Sequence, residues 1–71
     1  METNIIEIDI DNLQISLMDG SVWTLANVGD ISKVAIWYPS QRIILEEKNG
    51  NFIMTNLDTY EQDKVKVSRI S

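Results

Sequence analysis

Three acidic side chains, Glu7, Asp9 and Asp11, occupy alternate positions near the start of the chain. On an extended backbone, alternate residues share a face with their Cα atoms about 6.5–7 Å apart. Oxygen-rich groups of this kind bind calcium. The run Asp9-x-Asp11-Asn12 lacks the glycine and the closing glutamate of an EF-hand loop, however, and a straight strand cannot wrap a cation. A solvated acidic face is the plainer reading, and a carboxylate-based metal site is kept only as an alternative. Ser16, Ser21, Ser32, Ser40 and Ser68 have no histidine to activate them, and no Gly-x-Ser-x-Gly or glycine-rich phosphate loop is present. The absence of cysteine and histidine removes disulfides, zinc–thiolate sites and imidazole bases. No residue is assigned a catalytic role, no cofactor is implied, and the expectation is a protein that is not an enzyme.

Aromatic side chains offer binding rather than chemistry. Trp37-Tyr38-Pro39 is the densest cluster, and Tyr60 lies beside a second turn. On a small barrel such residues make a groove for proline-rich or extended peptides, with acidic neighbours selecting basic ones. Trp37, Tyr38, Pro39 and Tyr60 are therefore the candidate partner-binding residues. Core packing competes for both tryptophans, because aromatics dominate the burial available to small cores.

Charge narrows the partner. The formal net charge is −5, with six acids and no bases from Met1 to Asp30, and six bases and five acids from Ile31 to Ser71. Nucleic acid needs Lys and Arg against its phosphates, so an acidic chain favours protein or peptide partners. The alternative is a strip for single-stranded oligonucleotide built from Arg42, Lys64, Lys66 and Arg69 with Trp37 or Tyr38 between them. No apolar run is long enough to span a membrane, and the first residues lack a signal-peptide pattern, so a cytoplasmic location is expected.

The elements that must position these groups are strands. Apolar and polar residues alternate from Ile6 to Asp11 and again from Leu13 to Met18. Asp19-Gly20 marks a tight hairpin into Ser21–Leu25, and Asn49-Gly50 a second one joining Arg42–Glu47 to Asn51–Leu57. Ile31–Trp37 reads as a further strand ended by Pro39, and Lys64–Ile70 as the last. No helix is expected. With 71 residues, a sheet can hide its apolar face only by curling on itself, which leaves an SH3-like or an OB barrel. No helix candidate stands between the third and fourth strands, as an OB barrel usually has, so the expectation is an all-β, SH3-like barrel of five to seven short antiparallel strands, one domain over residues 1–71. Closure is expected to bring the first and last strands together, so that the acid row meets Lys64 and Lys66.

The landmarks Leu17-x-Asp19-Gly20-Ser21-x-Trp23, Trp37-Tyr38-Pro39, Arg42-Ile43-Ile44-Leu45 and Asn56-Leu57-Asp58-Thr59 resemble those of small, largely uncharacterised bacterial β-barrel proteins, over about three quarters of the chain. The resemblance implies a barrel and no catalytic residue. It departs at Ser40-Gln41, where the pattern has Gly-Asp, and at Tyr60-Glu61, where it has Gly-Glu. It also implies that the barrel proper begins near Leu13. Met1 to Asn12 is then an added strand whose isoleucines, from Ile5 to Ile10, either close their own barrel or pair with a second subunit as a homodimer. The expected function is a non-enzymatic protein-interaction module.

Overall fold

The computed structural model describes all of residues 1–71. The strands are β1 (Glu2–Asp9), β2 (Gln14–Leu17), β3 (Val22–Leu25), β4 (Arg42–Lys48), β5 (Asn51–Asn56) and β6 (Lys64–Arg69). They form a closed antiparallel barrel in the order β1-β2-β3-β6-β5-β4, a small all-β barrel of the SH3-like kind. No helix is long and apolar enough to cross a membrane. Two meanders, β1–β3 and β4–β6, meet along the β3–β6 and β1–β4 seams. Antiparallel pairing sends β1, β3 and β5 one way and β2, β4 and β6 the other. The β1–β2, β3–β4 and β5–β6 connections consequently share one end of the barrel, and the two tight hairpins share the opposite end with both termini.

Ile5, Ile15, Leu17, Trp23, Leu25, Ile43, Leu45, Met54, Val65 and Val67 fill the interior, joined by Val34 and Trp37 from the β3–β4 connection. The hairpin at Asn49-Gly50 has both residues in the left-handed region (φ 54° and 81°), as its sequence predicts. At Asp19-Gly20 only the glycine is left-handed (φ 91°). Asp19 serves instead as an acceptor, taking bonds from the Ser21 amide (2.9 Å) and hydroxyl (2.6 Å). These bonds hold its carboxyl below the usual range. The Ser21 oxygen in turn accepts from Trp23 Nε1 at 2.8 Å. The Asp-Gly-Ser-x-Trp motif is thus a hairpin clamp that satisfies a buried indole, whose ring meets Phe52 edge-on at 5.0 Å.

Three sequence expectations are corrected. Ile31–Trp37 is not a strand: a 3-10 turn (Val28–Asp30) leads into α1 (Ile31–Val34). Ile31, Val34 and Trp37 recur every third residue and turn inward, while Ala35 and Ile36 stay exposed, so helical rather than two-residue spacing buries this segment. The chain stops turning before Pro39, which favours extended backbone at Tyr38.

The first and last strands are not neighbours. β1 closes on β4, pairing Glu2, Thr3 and Asn4 with Ile44, Ile43 and Arg42, and is one of the six strands of its own barrel, one of the two outcomes expected for Ile5 to Ile10. The acid row does not meet the lysines: Glu7 and Asp9 lie opposite Ser16 and Gln14, whereas Lys64 and Lys66 lie opposite Thr55 and Ile53.

Finally, a bulge between Ile5 and Glu7 breaks the alternation of β1. Ile5 is buried, Ile6 is turned out and 52% exposed, and Ile8 and Ile10 return to the core side.

The tryptophans differ in one respect that can be measured. Trp37 is 4% exposed and its Nε1 has no acceptor, whereas Trp23 has Ser21. An unpaired buried donor costs about 1–3 kcal/mol, which offsets part of what the ring gains by burial. Chemical denaturation is expected to show Trp37→Phe losing at least about 1 kcal/mol less stability than Trp23→Phe.

Candidate functional site

The site is assembled at the barrel end that carries α1. Its anchor is Asn56, the last residue of β5, which is wholly buried. Its Nδ2 donates to Gln41 Oε1 at 2.8 Å, its Oδ1 accepts from the Asp58 amide at 2.8 Å, and its own amide donates to the Asp63 carbonyl at 2.9 Å. Its carbonyl accepts from the Thr59 hydroxyl, which accepts in turn from the Asp63 amide at 3.0 Å. One side chain thereby shapes the whole β5–β6 loop. Asparagine suits the position because it offers donor and acceptor together.

Gln41 carries the same restraint to the neighbouring turn. Its Oε1 also accepts from the Tyr38 amide at 2.8 Å, and its own amide reaches the Tyr38 carbonyl at 3.3 Å. Ser40 within this turn is left-handed, with φ 78°. Left-handed backbone favours glycine, so serine is held there by the bonds around it. A third tie joins Arg42 and Asp58. The guanidinium donates to Oδ1 from Nε (3.1 Å) and Nη2 (2.8 Å), and the Arg42 amide donates to Oδ2 at 2.7 Å. The arginine side-chain bonds, and then the amide, hold the Asp58 carboxyl below its ordinary value.

Tyr38, 65% exposed, and Tyr60, fully exposed, are displayed on this scaffold. Pro39, between Tyr38 and Ser40 in the chain, is exposed as well. Trp37, the fourth predicted contact residue, is withdrawn from the surface and supports the turn from within the core, because its ring fills the barrel end. An open cleft of about 370 Å³ separates α1 from the β5–β6 loop. Ile36, 57% exposed, lines it together with Tyr60, Thr59, Ser32, Lys33, Glu61 and Asp63. The residue missed by sequence reasoning is Ile36, since a strand assignment gives it no special place. Its signal was the Ile31–Val34–Trp37 spacing, which leaves Ile36 off the buried side.

Of the four basic residues of the expected strip, Lys64 and Lys66 stand exposed at alternate positions of β6, while Arg42 and Arg69 lie apart from each other. Arg42 is held by Asp58, and Lys33 lies 3.6 Å from Asp30. Arg69 sits at the opposite end of the barrel, 6.0 Å from the centre of the Trp23 ring, and donates to the Ser71 carbonyl. The carboxylates do not converge either: Asp9 accepts from the Asn12 amide (3.1 Å) and side chain (2.9 Å) across the β1–β2 turn, and no three acidic groups come together. Compared with protein families, curated proteins and solved structures, the chain finds no match in any of the three.

Asp58, Asp19 and Asp9 all have depressed carboxyl pKa values in the folded state. A depressed value stabilises the fold above the ordinary aspartate range and withdraws that stability as pH falls through the folded value. Thermal unfolding is expected to show the melting temperature level near neutrality and falling below about pH 4. Asp58→Asn should lower it at pH 7 and flatten the acid decline; an unchanged acid slope would show the Arg42–Asp58 tie to be unimportant.

Proposed function

We propose that the protein is a non-enzymatic interaction module that docks another protein through the barrel end bearing Tyr38, Pro39, Ile36 and Tyr60. The observation that carries this reading is the pairing of large exposed apolar side chains with loops that are fixed rather than loose. Exposed apolar groups set together mark contact surfaces. Loops positioned by a rigid frame are where binding residues concentrate. Asn56, Gln41 and the Arg42–Asp58 tie supply that frame, so the backbone that carries the aromatic groups is fixed and only their side chains are left to order on binding.

The ligand class follows from the lining. Ile36 and Tyr60 give an apolar trough, while Glu61 and Asp63 outnumber Lys33, whose charge is partly met by Asp30. A proline-rich segment with a basic end fits such a groove, since its preformed extended helix stacks on aromatic rings and its charge meets the acids. The resemblance to small bacterial barrel proteins is consistent with this reading, and a cytoplasmic setting goes with it. An oligonucleotide function finds less support, since Arg42 is paired and Arg69 lies at the far end.

The test is titration of the isotopically labelled chain with a synthetic arginine-ended proline-rich dodecapeptide. Shifts confined to Ile36, Tyr38, Thr59 and Tyr60 are expected, with affinity reduced at least tenfold in Tyr60→Ala and in Ile36→Ser. Both sites are exposed, so the melting temperature should stay within a few degrees of the parent. Binding that survives both substitutions would overturn the reading, as would a salt-sensitive affinity for single-stranded oligonucleotide in place of peptide binding.

A further inference from the structure

We infer that the second half of β1, Ile6–Asp9, is an open sheet edge that accepts an extended partner segment carrying basic residues at alternate positions. The inference is independent of the cleft and uses a different surface. Over its first residues β1 is held by β4: the Ile5 amide donates to the Gln41 carbonyl at 2.9 Å, and the Ile5 carbonyl accepts from the Ser40 amide at 2.7 Å. There the neighbouring chain leaves. The left-handed Ser40 and the turn bond from Gln41 to Tyr38 bend it away, and beyond Ile5 nothing pairs with β1 on that side.

The groups left behind can be identified from the ladder. Leu17 donates to Ser21 and Leu25 donates to Leu13, so the odd-numbered residues of β2 bond to β3 and the even-numbered ones to β1. Glu7 and Asp9, opposite Ser16 and Gln14, therefore bond inward to β2. Ile8, opposite Ile15, turns its amide and carbonyl to the unpaired side. Ile6, thrust out by the bulge, stands exposed beside it. The edge carries no Pro or Lys; its protection rests on the bulge and on the charges of Glu7 and Asp9, which repel a like-charged strand and attract a basic one.

Charge selects the occupant. Glu7 and Asp9 share the outer face of the strand, flanking Ile8. A second copy pairing antiparallel about Ile8 would set Glu7 against Asp9 of the other copy, twice over; a parallel copy would set each acid against itself. Like charges directly opposite are destabilising, so self-pairing is disfavoured. A segment with Lys or Arg on that face turns the same contacts favourable, while its backbone satisfies Ile8.

The test uses the full chain at 0.15 M salt with a synthetic hexapeptide of alternating Val and Lys. Addition is expected to slow exchange of the Ile8 amide at least tenfold and to shift resonances from Ile6 to Asp9, leaving Tyr60 unmoved. The Val–Glu hexapeptide, and a Val–Lys version with proline at its centre, should each bind at least tenfold more weakly. Glu7→Lys, at an exposed site, should weaken the Val–Lys peptide at least fivefold. Unchanged Ile8 exchange would overturn the inference. Equal binding of the proline version would also overturn it, because attraction would then be charge without strand pairing. Light scattering that shows a dimer protected at Ile8 in the absence of peptide would overturn it in favour of a second copy.

Discussion

The fold depends on β1 belonging to two partners. Its first residues are held by β4 and those from Asn4 onward by β2, so that Asn4 and Ile5 have partners on both sides and the bulge at Ile6 marks where β4 leaves. A sheet of short strands in a chain of 71 residues can bury only one face, and an open sheet would leave both margins in water. Joining β1 to β4 removes one pair of those margins and β3 to β6 completes the cylinder. Ile5, Ile43, Leu17 and Met54 are each almost wholly buried as a result. If the β1–β4 seam were absent, each would line an exposed surface.

The seam also determines what the two ends of the barrel can do. Hairpins and termini occupy one end, where the Asp19–Ser21–Trp23 chain of hydrogen bonds leaves little beyond structure. The other end receives the two long connections, β3–β4 and β5–β6, beside the short β1–β2 turn, and the first of them must plug the cylinder as well as link strands. Val34 and Trp37 do the plugging, and Ile36 and Tyr38 are left outside by the same helical geometry. Surface and plug therefore come from one short segment, and Asn56 with Gln41 fixes its register against the β5–β6 loop.

Much of this was legible in the sequence for a simple reason. Two-residue periodicity and turn chemistry are local, so β2, β3, β4, β5 and β6 were readable from alternation and from Asn49-Gly50 and Asp19-Gly20. What failed was set by distant residues. The partner of β1 depends on how the whole sheet curls, and no local feature of Glu7 or Lys64 records it. The β-branched run from Ile31 favours a strand by propensity, yet capping the cylinder required Val34 and Trp37 on one side, and burial prevailed. The bulge was hidden because Ile5-Ile6 offers two equivalent side chains for one inward position. Of the four residues expected at a contact surface, Tyr38, Pro39 and Tyr60 are outside; Trp37 is not, since an aromatic run alone does not say which ring a small core will claim.

Amide exchange of the unliganded chain at the β1–β4 seam tests closure most directly. The Ile5 amide, bonded to Gln41, and the Leu45 amide, bonded to Met1, should exchange as slowly as the Leu25 amide in the opposite wall. Rapid exchange at Ile5 and Leu45, with Leu25 still protected, would mean an open sheet and would contradict the barrel on which the rest is built.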